Sequence, residues 1–133
     1  MLMSKYLEKA LELHSKGYNC AQSVVCAFSD AVEADEKILY KISEGFGAGI
    51  GNGNNTCGAL SGAVMLSGLY SSKGDISVPS KKDTYRISGN LVDEFEEKCG
   101  AVACCDIKKN KCVSCDECIK IAVESVEKHL YKE

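Results

Sequence analysis

The stretch GFGAGIGNGNNTCGALSG, residues 45–62, holds seven of the chain's twelve glycines and decides between two folds. A glycine-rich loop between a strand and a helix would cradle a nucleotide phosphate and make the protein α/β. A dinucleotide fingerprint needs G-x-G-x-x-G. Counting from Gly45, Gly47, Gly49 and Gly51, the third glycine's place is taken by Ile50, Asn52, Asn54 and Thr56. The phosphate loop G-x-x-x-x-G-K-[ST] fails as well, because Ala59 and Leu60 follow the correctly spaced Gly53 and Gly58. The preceding segment, ILYKISEG, has the spacing of a helix rather than a strand. The stretch therefore reads as a connection between helices. Its alternating glycines admit positive φ and deliver Cys57 onto the first turn of the next helix. Unpaired N–H groups at that position favour an anion, including a thiolate. Gly58 and Gly62, four apart on an adjoining face, would let a neighbouring helix approach closely. The competing reading is helix packing around a buried, inert cysteine.

Helical periodicity continues on both sides. Residues 4–16 place Tyr6, Leu7, Ala10, Leu11, Leu13 and His14 at helical spacing and stop at Gly17. A second helix is expected from Asn19, as N-cap before Cys20, to about Val32. Asp35 caps a third over 36–44, with Ile38, Leu39 and Ile42 inward. The fourth starts near Thr56 or Cys57 and runs to about Tyr70; apolar on most sides, it belongs at the centre. Ser80 and Asp83 open a fifth that reaches Phe95 or beyond. A cysteine-rich loop over 99–112 precedes the last helix, where Ser114 and Glu117 form a capping-box pattern and Ile119, Ala122, Val123, Val126 and Leu130 line one face. No segment alternates apolar and polar residues. The expected fold is all-α, a bundle of five to six helices forming a single domain over residues 1–133.

A composition 45% apolar and 26% charged is that of an ordinary globular protein. The formal charge of −3 gives no electrostatic reason to expect nucleic acid as a partner. The short basic run at Lys108 to Lys111 reads as a solvated loop. The charged N-terminal segment has no apolar core of the kind a signal peptide carries, and the apolar run from Cys57 to Tyr70 is too short for a membrane span. A cytoplasmic protein is expected. The nine cysteines are then the anomaly, since a reducing compartment favours catalytic, redox or metal-binding roles over structural disulfides.

The order of motifs GYNCAQ (17–22), GFGAGIG (45–51), CGALSG (57–62), FEEKCGAVAC (95–104) and Cys115 before the final helix resembles the C-GCAxxG-C-C family of small redox-active proteins. The resemblance covers nearly the whole chain. It implies thiol redox activity through Cys20, Cys57, Cys104 and Cys115, a thiol or disulfide partner, and an association with transporters, whose genes often neighbour those of the family. It names no substrate and no cofactor. Cys26, Cys99, Cys105, Cys112 and Cys118 are surplus to its pattern.

Three of the four matched cysteines fall at predicted helix N-termini, which favour the thiolate by roughly 0.3–1 kcal/mol, against about 1.4 kcal/mol per pKa unit. A strongly nucleophilic thiolate therefore needs a nearby cation or a partner thiol sharing its proton. Asp116 and Glu117 oppose ionisation of Cys115. Cys20 or Cys57 is thus expected to attack, and Cys104 or Cys115 to resolve. The alternative is a metal or iron–sulfur module. Cys112, Cys115 and Cys118 make C-x2-C-x2-C, to which Cys99, Cys104 or Cys105 could add a fourth ligand. Cys118 also lies close to the apolar stripe of its helix, where a structural cysteine is the plainer reading. A third class is a helical interaction protein associated with a transporter. His14 and His129 read as surface or partly packed residues, and the carboxylates of EFEEK (94–98) as a solvated face with local ion pairs.

Overall fold

A computed structural model describes residues 3–110 and 113–130. Among them lie seven helices and no strand: α1 (Lys5–Ser15), α2 (Cys20–Ala27), α3 (Glu36–Glu44), α4 (Gly58–Ser71), α5 (Lys81–Cys99), α6 (Cys104–Asn110) and α7 (Cys115–His129). The all-α class stands, and the expected five to six helices are corrected to seven. The addition is α6, within a segment read as a loop; among its described side chains Ile107 alone enters the core.

Local chemistry sets most of the boundaries. Ser4, Asn19, Asp35 and Ser114 cap α1, α2, α3 and α7 by accepting backbone N–H bonds, and Asn19 forms a reciprocal capping box with Gln22. Ser80 precedes α5 without such a bond, because its hydroxyl accepts from the Lys73 N–H at 3.2 Å. Helix α2 stops at Ala27 instead of continuing to Val32. The chain turns there so that Phe28 enters the core and stacks on Tyr6, with ring centroids 4.3 Å apart.

Helix α4 is the centre of the bundle and packs against α2, α5 and α7, while α1 closes against α2 and α7. Leu60 and Leu66 of α4 are buried with Phe95, Leu91, Ile119 and Val123, each such side chain contributing about 1.5–3 kcal/mol through its removal from water. Gly62 makes the α2–α4 approach close enough for this core. A Cβ there would lie 2.8 Å from the Ala21 carbonyl oxygen and 3.0 Å from Val24 Cβ. Helix α3 packs on α2 along a narrow face that buries Leu39 alone of its three expected core residues. Ile38 and Ile42 are exposed, contrary to the expectation from spacing.

Candidate functional site

The same capping chemistry that starts the helices also gathers the cysteines. Helices α2, α6 and α7 begin at Cys20, Cys104 and Cys115, and Cys57 is the N-cap residue of α4. All four line one cavity of about 240 Å³, together with His14, Lys108 and Cys118. Residues predicted from positions 20 to 115 are thus brought to a single place. Of the surplus cysteines, Cys105 is exposed and Cys26 is buried elsewhere, its thiol 3.9 Å from the Glu36 carbonyl and pushed up to about 11 by burial. Cys112 lies outside the described residues, and with it the C-x2-C-x2-C pattern as a whole.

A short antiparallel contact fixes Cys57 relative to Cys104. Thr56 pairs with Ala103; the Cys57 N–H donates to the Val102 carbonyl at 2.7 Å and the Cys104 N–H to the Asn55 carbonyl at 2.8 Å. Alternate residues of such a pairing share a face, so Cys57 and Cys104 stand diagonally on the same side, toward the cavity. The glycine stretch folds over this contact. Gly49 is left-handed at φ 60°, and a Cβ there would come within 2.9 Å of Cys104 Cβ. Ala48, on the cavity wall, and Ile50 are also left-handed, a costly conformation for residues with a Cβ.

The sulfurs differ in character. Cys57 is only 5% exposed, yet its pKa is lowered to about 7. A hydrogen bond from Cys118 is the largest cause; burial opposes, while the N–H groups of Ala59 and Leu60 at the start of α4 and the Lys108 ammonium assist. No conventional side-chain bond caps α4, so these N–H groups remain free to favour the ionised sulfur. Cys118 carries the shared proton: its bond to Cys57, then burial, push its own pKa up, and it also contacts Cys99. Cys20 is pushed up by burial and by the sulfurs of Cys115, to which it hydrogen-bonds, and Cys57. Cys104 is raised by burial, against the pull of Lys108. On the cavity wall, His14 Nδ1 lies 2.7 Å from Asp116 Oδ1.

Two residues of this site escape sequence reasoning. Lys108 reads as part of a solvated run, but α6 sets it four residues beyond Cys104, on the same face. Cys118 reads as structural, but it stands three residues beyond Cys115 on α7 and touches Cys57. Glu94 makes the expected local ion pair with Lys98 at 3.1 Å but departs from the solvated reading: it is half-enclosed, accepting from Ser125 at 2.8 Å and pairing with His129 at 2.7 Å. Among the described residues, no group of three or more His, Cys, Asp or Glu side chains is arranged to hold a metal ion. No described helix is long and apolar enough to cross a membrane.

Residues 18–129 match the family model described as "Putative redox-active protein (C_GCAxxG_C_C)". A protein of Archaeoglobus fulgidus, named only as uncharacterized, is 28% identical over 135 aligned residues, covering 92% of this chain and 89% of that one. No solved structure matches the chain. The chain belongs to the C_GCAxxG_C_C family.

Proposed function

We propose that the protein performs thiol–disulfide exchange on a small disulfide, its cavity cysteines cycling between dithiol and disulfide. The observation that carries this reading is the meeting of four cysteines from four helix starts at one cavity, with the pKa of Cys57 lowered where those of Cys20 and Cys104 are raised. The Cys57 thiolate attacks one sulfur of the substrate, breaking its S–S bond and expelling a thiolate that is protonated in the cavity. Cys104, on the same face of the Thr56–Ala103 contact, then gives up its proton and attacks Cys57 in the mixed disulfide. A Cys57–Cys104 disulfide forms and the second half of the substrate leaves as a thiol. Two protein thiols are oxidised and one disulfide becomes two thiols. Cys20 and Cys115, hydrogen-bonded to each other, supply the neighbouring dithiol that returns the first pair to its reduced form; an external thiol then reduces them.

The burial of Cys57 and the cavity's size of about 240 Å³ favour a small molecule over a folded protein as the disulfide partner. The cycle suits a reducing compartment such as the cytoplasm, where external thiols are available. The test is to treat reduced protein with bis(2-hydroxyethyl) disulfide, quench in acid, alkylate and map disulfides by mass spectrometry. Consumption of the probe should be lost in Cys57→Ser, and a disulfide containing Cys57 should appear in the native sequence. Nine thiols left free after exposure would contradict the reading.

A further inference from the structure

Three sulfurs run inward from the cavity as a chain with Cys118 in the middle. Cys57 at the start of α4 meets Cys118 of α7, and Cys118 meets Cys99 at the end of α5. Cys57 and Cys118 line the cavity, whereas Cys99 has no solvent exposure and belongs to the hydrophobic core. An inert core thiol looks different here: Cys26 faces a backbone carbonyl and none of these three sulfurs. Neither Cys99 nor Cys118 is among the four cysteines of the family pattern.

We propose that Cys99 and Cys118 form a third, core-buried dithiol that takes over a disulfide made at the cavity once Cys20 and Cys115 are themselves oxidised, so that the protein stores one further disulfide out of reach of solvent. This rests on the exchange reading above. Cys118 attacks Cys57 in the Cys57–Cys104 disulfide; the Cys57–Cys118 bond forms, the old bond breaks, and Cys104 takes the proton that Cys118 gives up. Cys99 then attacks Cys118, the Cys99–Cys118 bond forms, Cys57 departs as the thiolate, and the Cys99 proton leaves to water in the cavity. Both steps are disulfide isomerisations and need no further oxidant.

The direction follows from the environments. A thiol whose thiolate is stabilised makes the more oxidising disulfide and the better leaving group. Cys57 has backbone N–H groups and Lys108 to hold its negative charge, whereas Cys118 is disfavoured as a thiolate. The disulfide therefore passes from Cys57 toward the core. With the cavity dithiol restored in this way as well as by Cys20 and Cys115, one more substrate disulfide can be reduced before any external thiol is needed.

The experiment follows the disulfides over time in reduced native protein exposed to excess bis(2-hydroxyethyl) disulfide, using acid quench, alkylation and peptide mapping. A disulfide containing Cys57 should appear first and a Cys99–Cys118 disulfide later, while Cys26 stays alkylatable. In Cys57→Ser, formation of the Cys99–Cys118 disulfide should slow by about tenfold or more, because the buried pair is reached through Cys57. Cys99→Ala should halt the transfer with Cys118 joined to Cys57. Finding Cys99 and Cys118 free in native protein whose cavity is oxidised would overturn the relay and leave the exchange reading standing. Equal rates of inner-pair formation with and without Cys57 would overturn it too. Absence of every disulfide to Cys57 would defeat the exchange reading itself.

Discussion

The thiol of Cys118, one turn into α7, hydrogen-bonds to the sulfur of Cys57 at the N-cap of α4. This contact joins the two ends of the chemistry described above. It holds a proton away from the sulfur proposed to attack, and it supplies the contact that the proposed disulfide relay would use. The helix N-terminus alone shifts a thiol by less than one unit. The partner thiol supplies the remainder, with Lys108 adding a smaller pull.

Replacing Cys118 by alanine should therefore raise the Cys57 pKa toward the ordinary thiol range. At pH 7 the iodoacetamide alkylation rate of Cys57 should fall by about three- to tenfold, since a tenfold change in thiolate fraction corresponds to roughly one pKa unit. Lys108→Gln should produce a smaller decrease in the same direction. An unchanged rate in Cys118→Ala would remove the shared proton from the account.

Two glycines of α4 separate packing from helix propensity. Gly62→Ala should destabilise the protein by about 1–2 kcal/mol, because its Cβ meets α2 backbone that cannot yield, and the clash outweighs the propensity gain of up to about 1 kcal/mol. Gly68→Ala, with nothing within 4 Å of the added carbon, should be neutral or stabilising by up to about 1 kcal/mol. Urea midpoints of the two variants check the contrast, and a loss of stability at Gly68 equal to that at Gly62 would contradict it.

Glu94 makes stability depend on acid. Burial works against its charge, but hydrogen bonds from Ser125, His129 and Lys98 prevail and lower its pKa to about 2, from an ordinary value of 4.5. A depressed carboxylate stabilises the fold above its unfolded value and loses that contribution as pH falls through its folded value. The contribution, roughly 3 kcal/mol, should be fully present above about pH 5 and vanish between about pH 4.5 and pH 2. In Glu94→Gln, thermal unfolding followed against pH should lose most of its dependence across that interval. A dependence equal to that of the native protein would place the titrating group elsewhere.

Much of this organisation was legible from single residues. The failed third glycine at Ile50, Asn52, Asn54 and Thr56 excluded a dinucleotide fold, and Asn19, Asp35 and Ser114 marked helix starts, because capping is a local interaction. Gly58 and Gly62 announced the close approach of a neighbouring helix, which proves to be α2. The misses are tertiary. Ile38 and Ile42 have helical spacing, but they lie on the exposed side of α3, away from α2. Lys108 and Cys118 acquire their surroundings only when α6 and α7 bring their first turns to the glycine stretch, a relationship that no spacing within either helix expresses.

The most direct test is the alkylation rate of Cys57 as a function of pH, in fully reduced protein with the modified peptide identified by mass spectrometry. The account predicts that Cys57 reacts ahead of Cys20 and Cys104 and that its rate rises with pH to a plateau with a midpoint near 7. A midpoint near 9, the ordinary thiol value, or faster reaction at Cys20 than at Cys57, would contradict it.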